Sequence, residues 1–285
     1  MSDRKSIETA SGRIAYVEKG RGPVALFVHG VFLNANLWDG TIAGVADARR
    51  CLAPDILCHG HTEERPDADV SFAGQAEMLV QFMDALGVDQ ADVVANDSGG
   101  GIAQIFAARH PERIRTLTLT NCDVHDGWPP PAFLPTVQAV LGGALRPLLE
   151  SMTDPAAARA ALGVGFEHPD RLSDEALRGF LQPLLRSDAR VRSLERFFQA
   201  MDCRQTVEVE PLLRRLQAPT LVVWGTADVF FDVAWARWLC ETIPGARPLV
   251  ELPEAKLFFP YERGAQLAAL LRRHWQQTPA AARSA

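Results

Sequence analysis

The chain has 285 residues, of which 47% are apolar, and this is enough to bury a substantial core. The formal net charge of −6 argues against a nucleic-acid or anionic-membrane surface, because such surfaces attract basic patches. The N-terminus is polar and no run of about 18 apolar residues occurs, so we expect a soluble, cytoplasmic protein whose partner is a small molecule.

The five cysteines are odd in number and lack C-x-x-C spacing, so they predict neither a disulfide framework nor a zinc site. We expect small buried apolar residues there. We expect no metal and no cofactor, and the sequence leaves the oligomeric state open.

Strand-like runs and helical segments alternate along most of the chain. Two short runs, at 7–9 and 13–18, precede a fully apolar run at 24–28, which is typical of a strand buried on both faces. Further strand-like runs occupy 51–54, 93–95, 117–120, 220–223 and 248–252. Helical spacing appears at 72–86, 101–110, 234–243 and 265–275. This alternation predicts an α/β fold with a mostly parallel sheet and helices on both faces.

The alternation stops between residues 128 and 216, where three prolines precede helix-like segments rich in Leu, Ala and Arg. We expect a helical cap domain over 128–216, inserted after the sixth strand. The core domain would then comprise 1–127 and 217–285, with a frayed tail at 276–285.

The most informative segment reads D-V-V-A-N-D-S-G-G-G-I-A, a buried strand that runs through a glycine cluster into a helix. This is the setting of a nucleophile elbow, whose sharp turn needs small residues two before and two after its apex. With Asp97 at the apex, those places hold Ala95 and Gly99. With Ser98 at the apex, one of them would hold the bulkier Asn96. The spacing therefore favours Asp97; the alternative is an aspartate that caps the helix of a glycine-rich turn.

Together these features resemble the α/β-hydrolase family over nearly the full chain. V-H-G-V at 28–31, followed by Trp38, resembles its oxyanion loop. D-I-L-C-H-G-H-T at 55–62 resembles its D-x-x-G-x-G-x-S turn, and R-H-P-E-R-I at 109–114 matches the end of the helix after the elbow. An aspartate at the elbow is similar to the haloalkane dehalogenase and epoxide hydrolase branches, to whose helical cap 128–216 corresponds.

The resemblance implies a role for each matching residue. Asp97 would form a covalent ester with the substrate, which an activated water then hydrolyses. The backbone N–H groups of Val31 and Ser98 would hold the oxyanion of that second step. Asp228 matches the acid that follows the seventh strand, with an ordinary loop aspartate as the alternative.

The general base departs from the family pattern, because Leu257 occupies the place of the catalytic histidine. A missing general base costs about 10²- to 10⁴-fold in the step it serves, so turnover needs a substitute. Among the seven histidines, His125 is the candidate, since it follows the run at 117–120, whose carboxyl end should lie beside the elbow. The alternative is a loop histidine without a catalytic role.

The groups that recognise substrate in the relatives are also replaced. Ser98 and Val31 stand where haloalkane dehalogenases usually carry Trp and often Asn as halide donors. The only tyrosines, Tyr16 and Tyr261, lie outside the predicted cap, whereas epoxide hydrolases use cap tyrosines as acids. We expect Phe32, Trp128 and Leu257 to contact an apolar substrate.

Three hypotheses follow. The first is a hydrolase with Asp97 as nucleophile, Asp228 as orienting acid and a relocated base such as His125. The second is a lyase, cyclase or isomerase that uses Asp97 as general acid or base. The third is a non-catalytic ligand-binding protein, since fold does not fix function. The sequence does not name the substrate.

Overall fold

The computed structural model describes residues 4–277, whose strands all join one sheet. Its order is β1-β2-β4-β3-β6-β7-β8-β9, with the two-residue β5 paired to β2. The pairs that involve β2 are antiparallel, and the remaining pairs are parallel. The strands are β1 Arg4–Thr9, β2 Gly12–Lys19, β3 Val24–Val28, β4 Arg50–Pro54, β5 Glu63–Glu64, β6 Ala91–Asp97, β7 Ile114–Cys122, β8 Thr220–Gly225 and β9 Val250–Leu252.

Helices follow most of the parallel strands and supply the second layer of the core. None within residues 4–277 is long and apolar enough to cross a membrane. Most of the frayed tail expected at 276–285 lies outside the described residues. The α-helices are α1 Asp39–Ala43, α2 Phe72–Ala85, α3 Ser98–Arg109, α4 Leu134–Ala139, α5 Leu145–Ser151, α6 Pro155–Leu162, α7 Asp174–Leu185, α8 Asp188–Gln199, α9 Arg204–Glu208, α10 Glu210–Leu213, α11 Val233–Thr242, α12 Phe259–Glu262 and α13 Gly264–Gln276.

Two details differ from the sequence prediction. The helical segment follows the seventh strand, because the short β5, which pairs with Gly12 and Arg13 of β2, was not expected. The last strand begins at Val250 and not at residue 248, which is Pro248 and has no N–H to donate to a ladder. Both differences concern the margins of the sheet. Its centre, β3, β6 and β7, is buried on both faces as the apolar runs predict.

The segment between β7 and β8, which we call the helical insertion, contains α4 to α10 and no strand in the structure described. Arg190 of α8 ties it to the loop before β5. Its guanidinium donates to the backbone oxygens of Thr62 and His59 and pairs with Glu64 at 3.1 Å. Both charged side chains are almost fully buried, and such pairs resist separation because removing one partner leaves an uncompensated charge.

The glycines after Asp97 bring helix α3 against the sheet. A Cβ at Gly99 would overlap the backbone oxygens of Val28 and His29, and one at Gly100 would overlap the Cβ of Cys122. Close backbone approach therefore requires glycine at both places. As a result the N-terminus of α3 is pressed between the carboxyl ends of β3 and β7.

We predict that Gly100→Ala lowers the free energy of unfolding by about 1–3 kcal/mol, because the new methyl must displace Cys122 in a packed core. Gly142→Ala is the matched control, since no atom lies within 4 Å of a Cβ there, and its effect should stay within about 1 kcal/mol. Urea unfolding measures both. Equal effects of the two substitutions would contradict this view of the packing.

Candidate active site

The apex of the turn between β6 and α3 is Asp97. Its backbone has φ 57° and ψ −137°, a left-handed region that strains a residue with a side chain, and Ser98 is already the first residue of α3. Gly30 makes room for this apex, because a Cβ there would overlap the Asp97 carboxyl group. The turn thus presents the carboxyl group of Asp97, and not the hydroxyl of Ser98, at its tip.

Backbone N–H groups hold one end of that carboxyl group. The N–H of Val31 donates to Oδ2 of Asp97 at 2.9 Å, and the N–H of Ser98 also bonds to the carboxyl group. Asp97 is only 4% exposed. Burial raises the pKa of Asp97 to about 7, and the charge of Asp228 contributes to the rise, while the two N–H groups oppose it. The carboxyl group therefore changes charge near neutral pH.

A cavity of about 160 Å³ lies beside Asp97. Its size resembles that of an engineered apolar cavity of about 150 Å³ that binds benzene, so it suits a small molecule. Of the residues that sequence reasoning expected at the site, Asp97, Val31, Ser98, Phe32 and Leu257 all line it. Most of the remaining lining is apolar and comes from the helical insertion and two loops, namely Pro130, Ala132, Phe133, Leu148, Met152, Ala161, Leu162, Val164, Met201, Phe230, Phe231 and Phe258.

The wall of the cavity at Leu257 is apolar. Leu257 is 4% exposed, and its carbonyl oxygen accepts a hydrogen bond from Nδ2 of Asn96 at 3.0 Å. The same amide donates to Oγ1 of Thr120 at 3.0 Å, so the loop of Leu257 is fixed to β6 and β7. None of the described residues that line the cavity is a histidine, lysine or arginine.

The structure does not bring His125 to this site. Nδ1 of its ring bonds to Asp126 and Nε2 bonds to Glu210, both at 2.9 Å, and the ring packs against Trp238. His125 does not line the cavity. The strand before it ends beside the elbow as expected, but the chain then turns through a positive φ of 49° at His125 and carries the ring outward. It is therefore a structural histidine on the outer side of this loop.

Trp128 is also placed differently from the expectation. Its ring stacks on Phe72 with centroids 4.2 Å apart, and its Nε1 donates to Oγ1 of Thr206 at 2.6 Å. It is buried but does not line the cavity. The residues of the insertion that contact Phe32 are instead Phe198 and Phe133, with ring centroids 5.6 and 6.2 Å from that of Phe32.

Asp228 lies in the loop after β8 and does not itself line the cavity. Its Oδ2 accepts from Nδ2 of Asn121 at 2.7 Å, and its Oδ1 accepts from the N–H of Phe230 at 2.9 Å. Burial raises the pKa of Asp228 to about 6 against these hydrogen bonds. Its carboxylate therefore fixes the loop that carries Phe230 and Phe231 into the cavity.

A third carboxyl group, Asp123, lines the same cavity, and sequence reasoning missed it. It follows β7 directly, is 2% exposed, and its Oδ2 is buried without a hydrogen-bond partner. Gly101 was the available signal, since a Cβ there would press on the Asp123 Cβ at 3.1 Å. Within residues 4–277, no group of three or more His, Cys, Asp or Glu side chains could hold a metal ion.

The chain belongs to the α/β-hydrolase family, since the model of the α/β hydrolase fold matches residues 23–261. Its fold is the α/β-hydrolase fold, with a mostly parallel central sheet between helices. The turn at Asp97 lies between a buried strand and a helix, and the N–H of Val31 reaches it from the loop after β3.

Relatives and solved structures of this family match nearly the whole chain. Haloalkane dehalogenase 2 of Mycobacterium tuberculosis is 28% identical over 284 residues, covering 93% of this chain and 92% of that protein. The 2-hydroxymuconate semialdehyde hydrolase of Pseudomonas putida is 32% identical, covering 85% and 84%. The epoxide hydrolase CorEH has a similar structure, with a TM-score of 0.80 at 18% identity, covering 96% of this chain and 98% of that one.

We predict that Asp97→Asn stabilises the protein and that the gain grows with pH. The native pKa lies above the unfolded value of 3.8, so the carboxyl group favours folding less as pH rises towards 7. The amide has no such cost, and the gain should approach about 4 kcal/mol above pH 7 and shrink towards pH 4. Urea unfolding at pH 5 and 8 measures it.

The control for this prediction is Asp67→Asn, which changes a carboxyl group that is 79% exposed. Its effect should be equally small at both pH values. A gain from Asp97→Asn that does not depend on pH would show that the Asp97 carboxyl is not the group destabilised by burial.

Proposed function

We propose that the protein is a hydrolase that acts on a small, mostly apolar electrophile through Asp97 as nucleophile. The observation that carries this proposal is the 2.9 Å hydrogen bond from the Val31 N–H to Oδ2 of Asp97 at a strained turn beside an apolar cavity. A carboxylate held by one oxygen is oriented for attack through the other. The dehalogenase and hydrolase relatives support the same class of reaction.

The reaction has two steps. First, an oxygen of ionised Asp97 bonds to a carbon of the substrate, and the leaving group departs with the electrons of the broken bond. Water then adds to the carboxyl carbon of the resulting ester, and the N–H groups of Val31 and Ser98 stabilise the oxyanion. Loss of the product alcohol restores Asp97. Because this water brings one oxygen into the carboxyl group, isotope labelling can follow the step.

We also propose that residues 128–216 act as a cap domain over a core of residues 1–127 and 217–285. In support, the insertion supplies one side of the cavity, including Phe133 and Met152, while Asp97 and Leu257 come from the core. A cap of this kind excludes water and so strengthens the electrostatics of the site. In this arrangement Asp228 is a positioning residue, because no imidazole stands beside it to be oriented.

A second candidate function is proton transfer by Asp97 in an elimination, cyclisation or isomerisation. Two observations favour it, namely the pKa of Asp97 near 7 and the leucine at position 257. A general acid or base works best with a pKa near the operating pH, and no ester has to be cleared. A binding protein without catalysis has less support, because an unused carboxyl group would be costly to bury in this cavity.

We predict that single turnover in ¹⁸O-water labels Asp97, because the water enters at its carboxyl carbon. Peptide mass spectrometry of the segment around Asp97 measures the label, and Asp97→Asn should form no product. The matched control is Asp92→Asn, a buried carboxylate at the opposite end of β6 that bonds to Arg49 and Arg115. Asp97 of this variant should carry the same label as Asp97 of the wild-type protein. Product formation without label on Asp97 would favour proton transfer.

We predict that the rate of Asp97 alkylation in the wild-type protein rises as the pH passes about 7, because only the ionised carboxylate attacks. Leu257→His should move this inflection to lower pH, since a cation at about 4–6 Å lowers a carboxyl pKa by roughly 1–3 units. Leu257→Asn is the control of similar size without the charge. The pH dependence of alkylation measures all three proteins. An inflection shared by the histidine and asparagine variants would exclude an electrostatic cause.

A further inference from the structure

The carboxyl group of Asp123 has no structural task that accounts for its burial. Its backbone is already secured, because Nε2 of Gln104 donates to the carbonyl oxygen at 2.7 Å. The side chain is different, since Asp123 lines the cavity and its Oδ2 is buried without a hydrogen-bond partner among the described residues. Leaving a carboxyl oxygen unpaired in an apolar place is costly, so a residue of this type is a candidate for chemistry.

Asp123 lies next to the two residues at the tip of the elbow. Its N–H points to the carbonyl oxygen of Asp97 at 3.4 Å, and its side chain bonds to the side chain of Ser98. Burial raises the pKa of Asp123 well above its usual range, and the nearby charge of Asp97 raises it further. Two carboxyl groups that share an apolar site do not both ionise easily, because the charge of one raises the pKa of the other. Ionisation of Asp97 therefore favours the acid form of Asp123.

We propose that Asp123 is the acid-base partner of Asp97 and supplies the proton transfers for which the family uses a histidine. This inference rests on the proposed function. Asp123 lines the cavity, whereas the ring of His125 points outward and the side chain of Leu257 has no titratable proton. The cavity therefore contains its own proton donor and acceptor on the loop after β7.

The proton balance of the two steps is complete for an epoxide. Ionised Asp97 attacks carbon, the C–O bond of the ring breaks, and the oxygen takes the proton of Asp123. Asp123 is then a carboxylate, and Asp97 is a neutral ester that no longer repels it. Water attacks the ester, the diol leaves, and the proton released by the Asp97 acid passes to Asp123. The starting protonation state is restored without another reactant.

The same site treats a halide differently. Bromide leaves with its electron pair and needs no proton, so alkylation by an alkyl bromide does not use Asp123. Hydrolysis of the ester still does, after Asp123 has released its proton to solvent. Asp123 therefore favours substrates whose leaving atom is oxygen. An epoxide probe tests its role as the acid in alkylation and as the base in ester hydrolysis, whereas an alkyl bromide probe tests the second role alone.

The test uses the full chain, with styrene oxide and 1-bromobutane as probes and mass spectrometry of the ester on Asp97. In Asp123→Asn we expect slower alkylation by the epoxide, unchanged alkylation by the bromide, and clearance of either ester slowed by about 10²- to 10⁴-fold. The control is Asp126→Asn, a nearby exposed carboxyl group that bonds to His125. It should behave as the wild-type protein does.

A second variant distinguishes a role of Asp123 in proton transfer from a purely structural role. Ser98→Ala removes the hydrogen bond that lowers the pKa of Asp123, so the pH at which ester clearance reaches half its maximum should rise. A structural role for Asp123 gives no such shift. If wild-type Asp97 is alkylated but Asp123→Asn clears the ester at the wild-type rate, the assignment of Asp123 is wrong and the proposed function stands. If neither probe alkylates wild-type Asp97, the proposed function itself is wrong.

Discussion

The structure of the site depends on the close contact between the Asp97 carboxyl group and the backbone of Gly30 and Val31. The 2.9 Å hydrogen bond from the Val31 N–H is possible only because Asp97 adopts a left-handed backbone and position 30 has no side chain. That geometry in turn needs Gly99 against β3. A strained residue of this kind persists because the packed elements around it leave no alternative conformation.

The second determinant is electrostatic. Asp97 and Asp123 line one apolar cavity whose described lining residues contribute no cation, and Asp228 lies in the loop that carries Phe230 into it. Burial raises the pKa of all three carboxyl groups. In a site with an imidazole, the cation would stabilise such carboxylates. Here protonation keeps the buried carboxyl groups uncharged. The free energy of unfolding therefore falls as the pH rises through their pKa values. Burial of the large apolar core offsets this loss of stability. The site in turn gains groups that exchange protons near neutral pH.

The sequence predicted the fold and the residues grouped at Asp97 because their signals are local. The alternation of strands and helices defines the sheet, and glycines two positions from the apex define the turn. His125 and Trp128 could not be placed in this way, since their positions depend on the backbone path of the loop after β7. Gly101 was a further signal: the elbow explains Gly99, whereas a third glycine indicates close neighbours, which are Phe72 and Asp123.

Two buried amides fix the loops that carry Leu257 and Asp228 beside the site. Nδ2 of Asn96 holds the carbonyl oxygen of Leu257, and Asn121 holds both Asp228 and the backbone of Gly225. These bonds fix the loops after β8 and β9 through groups that do not depend on a histidine. The position of Leu257 in the cavity wall is therefore set by backbone and amide groups. In the proposed mechanism, proton transfer is the task of Asp123, which follows β7 at the same edge of the sheet.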